Sequence, residues 1–281
     1  MSQIFRYPGG KSKKQIREQI IAKFPKKYSE YRDVMVGGGG IFFHIPITKK
    51  RWVNDVDKDL ISVYKALQED PKGFINRCRQ IEAEKEDDGL APAREGKALY
   101  NARLKSVFDE LKNDKKADPA LKYLFINRTV WGGRVNYDIE SRMYFSNPKG
   151  WNTIHSNKME QAANIIHGSK ITSLSYEKVL EEEGEDVVIY IDPPYVKNTE
   201  LDKNSRLYRY NFEMEDHIKL CENIKKCKHK VIISYDDNKF IKNLYNDFKV
   251  SKTSWVYCGT SSAKTHSKTK KTGKELIITN Y

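Results

Sequence analysis

The segment VVIYIDPPY, residues 187–195, places one carboxylate and two prolines directly after an unbroken apolar run. Proline has a fixed φ and no N–H, so this turn is stiff and the carbonyl groups of Asp192 and Pro193 lack local donors. Such a rigid cluster of acceptors suits a flat ring that carries two N–H donors, with Tyr195 stacked on it. The exocyclic amine of adenine is one such group, whereas a helix cap followed by an ordinary turn is the simpler interpretation.

The chemistry that this cluster can support is methyl transfer to the amine. Because the nitrogen lone pair is delocalised into the ring, the amine is a poor nucleophile. If Asp192 and Pro193 each accept one amine hydrogen, the nitrogen moves toward tetrahedral geometry and can attack a sulfonium methyl group by positioning and electrostatics alone. A base in a duplex must flip out to reach such a site. Three aromatic residues then either close over it or pack in the core: Tyr208, Tyr210 and Phe212.

A second candidate is the glycine run in DVMVGGGGIFFH. Glycines let a backbone approach a nucleotide-like cofactor, and Asp55, at the end of the next predicted strand, suits its ribose hydroxyls. Phe5 stands where a P-loop needs glycine, and Phe42 stands at the last glycine of a dinucleotide motif. A nucleoside cofactor without a phosphate fits better, and S-adenosylmethionine is the common one. The alternative is that the glycines only form a tight turn.

The elements that must position these residues alternate between strand and helix. Short strands rich in branched residues are predicted at Val34–Val36, Trp52–Asn54, Val187–Ile191, Val231–Ser234 and Glu275–Thr279. Apolar spacing of three and four predicts helices in residues 11–24, 60–67, 104–111 and 215–226. This alternation predicts an α/β sheet, and ligands of such sheets bind beyond the carboxyl ends of the strands. Residues 58–155 look like a helical, basic insert between two catalytic parts, residues 1–57 and 156–281.

Composition narrows the function classes. The 281 residues include 51 Lys and Arg against 38 Asp and Glu, a formal charge of +13 that favours a polyanionic partner. The four cysteines form no CxxC pair and the histidines are scattered, so no metal site is predicted. No apolar run approaches the roughly 18 residues of a membrane span, and no signal peptide is recognisable. We expect a soluble, cytoplasmic protein.

Taken in order, these segments resemble the Dam-type DNA adenine methyltransferases of the D12 group. The matching motifs are FRYPGGKSK, DVMVGGGGIFFH, VNDVDKDLISVY, YLFINR with WGGRVNYD, YIDPPY and KVIISYDD. The resemblance implies a Rossmann-like, seven-stranded methyltransferase sheet with an inserted, mainly helical target-recognition domain at residues 58–155. It implies S-adenosyl-L-methionine as cofactor, double-stranded DNA as substrate and a monomeric protein. With the composition, we expect no membrane or metal partner. It leaves room for a cognate restriction enzyme as a genetic partner.

The resemblance also implies roles for particular residues. Catalysis would involve Asp192, Pro193 and Tyr195. The cofactor would contact Tyr7, Lys11, Asp33, Gly37, Gly38, Gly39, Asp55, Tyr176 and Asp192. DNA would contact Arg6, Asn127, Arg128, Arg134, Asn136 and Arg142. Lysines of SSAKTHSKTKKTGK, among them Lys268, Lys270 and Lys271, would either bind phosphates or form a solvated surface.

Two positions depart from the family pattern. Met35 replaces the aromatic residue before the glycines, and Trp131-Gly132-Gly133 replaces the YNG-type hairpin, so recognition of GATC does not follow. Two other classes stay open. One is a DNA-binding relative that has lost activity, which the intact Asp192 and Asp55 disfavour. The other is an enzyme that acts on RNA or a small molecule, which the basic insert disfavours.

Overall fold

The computed structural model describes residues 4–7, 11, 14–48, 50–83, 94–130, 133, 135, 151, 156–196, 210, 212–256 and 272–281. The strands are β1 Glu30–Asp33, β2 Lys50–Asn54, β3 Lys170–Thr172, β4 Val187–Ile191, β5 Lys230–Asp236, β6 Lys249–Val256 and β7 Thr272–Thr279. They form one seven-stranded sheet in the order β3-β2-β1-β4-β5-β7-β6. Only β7 runs antiparallel to its neighbours, β5 and β6. The predicted seven-stranded α/β sheet is confirmed.

Helices connect and cover these strands. They are α1 Lys14–Ile21, α2 Lys58–Glu69, α3 Pro71–Ala83, α4 Arg94–Asn113, α5 Pro119–Thr129, α6 Ser156–Ile166, α7 Tyr176–Glu181, α8 Met214–Lys226 and α9 Lys239–Leu244, with a 3-10 turn at Phe42–His44. The periodic segments that predicted α1, α2, α4 and α8 all form helices. In the described part of the chain no helix has the length and apolarity that crossing a membrane requires.

The sheet is buried on both faces because alternate residues of β4 enter two separate clusters. Val188 and Tyr190 pack in one cluster, while Val187, Ile189 and Ile191 pack in the other. Alternation of this kind follows from the two-residue period of a strand. A strand buried on both faces reads as a continuous apolar run, which explains why the sequence predicted β4 to the residue.

The helical segment after β2 shares a core with the sheet. Leu60 of α2 and Phe125 of α5 belong to the same buried cluster as Tyr31 of β1. Helix α2 packs against α5, α6 and β3, so it serves as a covering helix of the sheet. The division of the chain at residues 58–155 into a separate target-recognition domain stays a prediction.

The position of β1 was predicted wrongly. The sequence indicated Val34–Val36, but the strand is Glu30–Asp33, with all four side chains buried. A hydropathy pattern does not detect a buried strand whose charged residues are paired inside the fold. Here the Nε of Arg32 lies 2.6 Å from the Oε1 of Glu30, and the hydroxyl of Tyr31 donates to the Oδ2 of Asp33 at 2.8 Å.

Arg32 ties β1 to the end of α7. Its side chain is fully buried and its guanidinium donates to the carbonyl oxygens of Val179, Glu182 and Glu183 at 2.6–2.9 Å. It also lies over the ring of Trp52, with 5.3 Å between Cζ and the ring centroid. Carbonyl groups at a helix end have no partner within the helix, so this one side chain satisfies the terminus of α7.

We expect Arg32→Met to lower the free energy of unfolding by about 3–5 kcal/mol, because it strands the Glu30 carboxylate and three carbonyl groups. Urea unfolding followed by circular dichroism measures the change. Lys170→Met is the matched control, since Lys170 also contacts Trp52 and pairs with Glu182 but is solvent-exposed. Its cost should stay below about 1 kcal/mol. Equal effects of the two substitutions would contradict the role of Arg32 as a buried clamp.

Candidate active site

Carboxylates gather at one edge of the sheet. β1, β2 and β4 run parallel, and their carboxyl ends lead to Asp33, Asp55 and Asp192 respectively. Asp33 is the last residue of β1 and pairs with Tyr190, two residues before Asp192. The parallel arrangement therefore brings the three acidic residues together. The sequence placed Asp55 and Asp192 at strand ends, but it placed Asp33 at the start of the predicted strand Val34–Val36.

Asp192 is fixed through one of its two oxygens. Its Oδ1 accepts a hydrogen bond from the hydroxyl of Ser234 at 2.9 Å and lies 3.1 Å from the Nζ of Lys11. The hydroxyl of Tyr190 in turn contacts Ser234 at 2.9 Å. Among the described residues no partner acts on Oδ2, and the side chain is 21% exposed. One oxygen therefore anchors the carboxylate and the other can accept from a ligand.

Glu275 of β7 is a site residue that the sequence analysis missed. Its Oε1 accepts from the Nζ of Lys11 at 3.0 Å and from the hydroxyl of Tyr195 at 2.9 Å. Lys11 also contacts the Tyr195 hydroxyl directly. The only signal in the sequence was one acidic residue at the start of the apolar run of a predicted strand. Nothing in that signal indicated which residues it meets.

The cluster of Lys11, Asp192 and Glu275 carries buried charge. Burial lowers the pKa of Lys11, but the charges of Asp192 and Glu275 outweigh it and raise the pKa overall. Burial raises the pKa of Glu275 to about 7, and the nearby Lys11 charge works in the opposite direction. Lys11 therefore stays protonated, while Glu275 titrates near neutral pH.

The glycine loop is built around close contacts. Gly37 has a φ of +49°, and a Cβ there would lie 2.6 Å from the Cε1 of Tyr7. Its N–H donates to the Oδ2 of Asp55 at 2.9 Å, and its carbonyl accepts from the hydroxyl of Tyr64 at 2.9 Å. Gly39 has a φ of +69° and packs against Phe43. Both positions therefore require glycine.

Asp55 holds this loop in place by hydrogen bonds to backbone N–H groups. It is buried, and its Oδ1 accepts the N–H of Asp57 at 3.0 Å while Oδ2 holds Gly37. Burial raises the pKa of Asp55 to about 6, and the backbone donors of Asp57 and Gly37 lower it. Each oxygen retains a second lone pair that can accept from a cofactor.

Asp33 lies deeper than the other two carboxylates. Burial raises its pKa to about 8, and the donated hydrogen bond from Tyr31 only partly opposes this effect. Its Oδ1 is buried with no hydrogen-bond partner in the part of the chain that the structure describes. Oδ1 is therefore the oxygen of Asp33 that remains for a hydrogen bond with a ligand.

A row of packed aromatic rings connects Tyr176, a predicted cofactor contact, with Tyr195, a predicted catalytic residue. Tyr176 contacts Phe212 at 6.3 Å, and Phe212 contacts His217 at 4.7 Å between centroids. His217 packs on Tyr235 at 5.5 Å, and Tyr235 packs on Tyr195 at 6.2 Å. Phe212 is thus part of this packed row, while Tyr210 is 40% exposed and Tyr208 lies outside the described residues. Burial lowers the pKa of His217 to about 4, so it is neutral here.

The residues at this edge offer hydrogen-bond acceptors that suit a ligand with several donors. Asp33 Oδ1 and Glu275 Oε2 are buried oxygens without partners among the described residues. A cofactor with an ammonium group and two ribose hydroxyls carries the donors that such oxygens lack. The described residues contain no group of side chains that could hold a metal ion.

The residues predicted to contact DNA form a second cluster at the N-terminal segment. Asn127 is fully buried, and its Nδ2 donates to the carbonyl oxygens of Arg6 and Gly133 at 2.7 and 2.9 Å. Its Oδ1 accepts the N–H of Arg6 at 2.8 Å. A Cβ at Gly133 would lie 2.0 Å from the Arg6 carbonyl oxygen. Asn127 therefore fixes Arg6, and both of its donor hydrogens are used inside the protein.

Arg6 and Arg128 bring two positive charges together. Arg128 donates to the carbonyl of Ile4 at 3.3 Å. Burial, and after it the charge of Arg6, lowers the pKa of Arg128 to about 10, and burial also lowers the pKa of Arg6. Two neighbouring guanidiniums favour an anion between or above them. The other predicted DNA contacts lie outside the described residues: Arg134, Asn136, Arg142, Lys268, Lys270 and Lys271.

Comparisons with known proteins agree with this architecture. The chain is 25% identical to a Type II methyltransferase of Lactococcus lactis subsp. cremoris, over 98% of this chain and 94% of the relative. It is 25% identical to a Type II methyltransferase of Methanocaldococcus jannaschii, over 88% of this chain and 89% of the relative. It is 24% identical to a DNA adenine methylase of Haemophilus influenzae, over 87% and 82%.

The family profile described as D12 class N6 adenine-specific DNA methyltransferase matches residues 7–258. This range covers the glycine loop, Asp55, Asp192 and Tyr195, and thus most of the site. The predicted family, and with it the class of adenine-specific DNA methyltransferase, is confirmed. The chain belongs to the D12 class of N6 adenine-specific DNA methyltransferases.

Proposed function

We propose that Asp192 and Pro193 bind the amino group of a flipped-out adenine in duplex DNA, and that S-adenosylmethionine donates the methyl group. The observation that carries this proposal is the asymmetry of Asp192. Its Oδ1 is held by Ser234 and Lys11, while Oδ2 has no partner among the described residues. A carboxylate held in this way is preorganised to accept a hydrogen bond.

The residues of the chain then act in a simple sequence. Asp192 Oδ2 and the carbonyl of Pro193 each accept one hydrogen of the amine, which localises the nitrogen lone pair. Tyr195 supplies a ring on which the base stacks. Bound S-adenosylmethionine would supply the methyl group by breaking its sulfonium C–S bond and leaving as S-adenosylhomocysteine, and the methylated amine would release one proton through Asp192 to solvent. Holding the nitrogen in line with that group lowers the barrier by positioning.

The cofactor residues that we propose surround the glycine loop. Gly37, Gly38 and Gly39 bring the backbone close to the cofactor, and Asp55 accepts from the ribose hydroxyls. Asp33 Oδ1 accepts from a polar group of the cofactor. Contacts with the cofactor are also assigned to Tyr7, Lys11, Tyr176 and Asp192. For Tyr176, the support is its half-buried ring at the start of α7, beside Phe212.

DNA binding is proposed at the cluster of Arg6 and Arg128. Their mutual repulsion is relieved when a phosphate or an electronegative base edge approaches. Asn127 acts indirectly, since its hydrogen bonds set the position of Arg6. Arg134, Asn136 and Arg142 are proposed to extend this contact. A DNA substrate supports action in the cytoplasm, and relatives named as Type II methyltransferases support a restriction enzyme as genetic partner.

Methyl transfer should depend on the charge of Asp192. Asp192→Asn keeps an acceptor for Ser234 and Lys11 but replaces an accepting oxygen by a donor. We expect kcat to fall by about 10²–10³, as for loss of one preorganised electrostatic group. Transfer of label from S-adenosylmethionine to duplex DNA measures the rate, and calorimetry measures cofactor affinity, which should change less than fivefold. A rate within tenfold of an active wild type would refute the assignment. A wild type that transfers no label would favour the alternative of an inactive relative.

Cofactor affinity should depend on Asp55 through the glycine loop. Asp55→Ala removes the acceptor of the Gly37 N–H and the proposed ribose contact, so Kd for S-adenosylhomocysteine should rise by about 10–100-fold. Asp57→Ala is the matched control. Asp57 caps α2 at Asp59 and Leu60, so its loss should cost about 1 kcal/mol of stability without changing that Kd. Comparable losses of affinity in both variants would argue against a specific role of Asp55.

The lysine-rich segment should contribute to DNA binding without regard to sequence. Replacing Lys268, Lys270 and Lys271 by Ala should weaken binding to all duplexes equally. It should also reduce the slope of log K against log salt concentration by up to about 3, or roughly 0.9 per lost phosphate contact. The control with the same change in charge replaces the exposed lysines 226, 228 and 230, which lie around the amino end of β5. An equal slope in both triple variants would show that only net charge matters.

A further inference from the structure

Glu275 sits where the sheet is most constrained. β7 is paired on both sides, so Glu275 lies opposite Asp236 of β5 and Thr253 of β6. Its side chain is 2% exposed, and its Oε1 accepts from both Lys11 and Tyr195. A carboxylate with its Cα fixed by two ladders has little freedom to follow its partners. The positions of Lys11 and Tyr195 are therefore set by this carboxylate.

Lys11 stands between two carboxylates at nearly equal distances. Its Nζ lies 3.1 Å from Asp192 Oδ1 and 3.0 Å from Glu275 Oε1. If Asp192 were its only acidic partner, the pair would be neutral and the ammonium would draw charge from the carboxylate that must accept from the amine. With Glu275 ionised, the three groups carry a net charge of −1, and the ammonium is shared.

We propose that Glu275 is a positioning residue for methyl transfer, which holds Lys11 and Tyr195 in place and shares the Lys11 charge so that Asp192 remains a strong acceptor. This role rests on the proposed function of Asp192. Glu275 acts through two contacts of different kinds. The contact with Tyr195 orients the ring on which the base stacks, and the contact with Lys11 sets the electrostatic balance at Asp192.

The arrangement also makes the reaction sensitive to pH. The titratable groups around Glu275 are Lys11, Asp192, Tyr195, Tyr190 and Asp236, its cross-strand neighbour in β5. Burial raises the pKa of Glu275 to about 7, with Asp192 acting in the same direction and Lys11 in the opposite one. Below pH 7 Glu275 takes up a proton and becomes neutral, so Asp192 is then the only charged partner of Lys11 within this group of three. The acceptor strength of Asp192, and with it kcat, should fall as the pH drops through 7.

Glu275→Gln tests the role of the charge, because the amide oxygen can still accept from Tyr195 and Lys11. We expect kcat for methylation of duplex DNA at pH 8 to fall at least tenfold. KM for DNA and Kd for S-adenosylhomocysteine should stay within threefold. Wild type should show an acid limb of kcat near pH 7, and this limb should be absent from the variant. A role limited to folding would not move the pH profile.

Glu30→Gln is the matched control. Glu30 is also a buried glutamate paired with a basic side chain, with 2.6 Å between its Oε1 and the Nε of Arg32. It lies at the amino end of β1, whereas the site is at the carboxyl ends of the parallel strands. We expect it to lower the melting temperature while kcat stays within twofold and the acid limb is retained. Thermal melting of each variant verifies that folded protein is compared.

A second variant separates the two contacts of Glu275. Tyr195→Phe removes the hydroxyl that donates to Glu275 and keeps the ring. If Glu275 acts partly through Tyr195, the combined loss of kcat in the double variant should be at least threefold smaller than the product of the single losses. If the losses multiply, the Tyr195 part of the assignment is wrong and only the effect through Lys11 remains.

The outcomes distinguish this inference from the function on which it rests. An active wild type together with a folded Glu275→Gln variant of unchanged kcat and unchanged acid limb would overturn the role of Glu275 alone. A variant that lost cofactor affinity and kept kcat would also overturn it, because Glu275 would then be a binding group. A wild type that methylates no DNA would overturn the proposed function itself.

Discussion

A single buried ammonium group joins three parts of the chain that lie far apart in the sequence. Lys11 precedes α1, Asp192 follows β4 and Glu275 belongs to β7, yet all three meet within 3.1 Å. Removing one partner from a buried set of charges leaves the others uncompensated, at a cost of several kcal/mol. The N-terminal segment is therefore fixed to the carboxyl edge of the sheet. The same segment also carries Arg6, which Asn127 holds, and Tyr7, which lies against Gly37.

The fold was largely predictable where burial and hydropathy agree. β4 is apolar at every position and was predicted to the residue, and α2 and α4 follow from their apolar spacing. β1 was displaced because its charged residues are buried in pairs, which no hydropathy pattern reveals. The edge strands β3 and β6 were not predicted at all. β3 is only three residues long, and β6 contains four consecutive polar residues, Ser251, Lys252, Thr253 and Ser254.

The site was predictable to the extent that its motifs are local. Asp192, Pro193 and Tyr195 are adjacent in sequence, and Gly37 and Asp55 follow from a strand, a turn and the next strand. Glu275 was missed because its partner Lys11 lies 264 residues away, and no spacing rule connects them. The burial of Asn127 was equally hidden, since an asparagine in a helix reads the same whether it meets DNA or braces a loop. Its hydrogen bonds to Arg6 and Gly133 show that the fold uses it to brace the loop.

The antiparallel entry of β7 between β5 and β6 bears on the order in which the site is completed during synthesis. Among the described strands β6 pairs only with β7, so it has no place in the sheet until β7 has been made. A nascent chain that ends before residue 272 already contains the glycine loop and Asp192-Pro193-Pro194-Tyr195. In such a chain Lys11 lacks one of the two carboxylates that it meets among the described residues, and Tyr195 lacks Glu275 as an acceptor. Asp192 is therefore synthesised long before Glu275, the second carboxylate beside Lys11, and a product that ends before residue 272 keeps the glycine loop and the Asp192 motif without this partner.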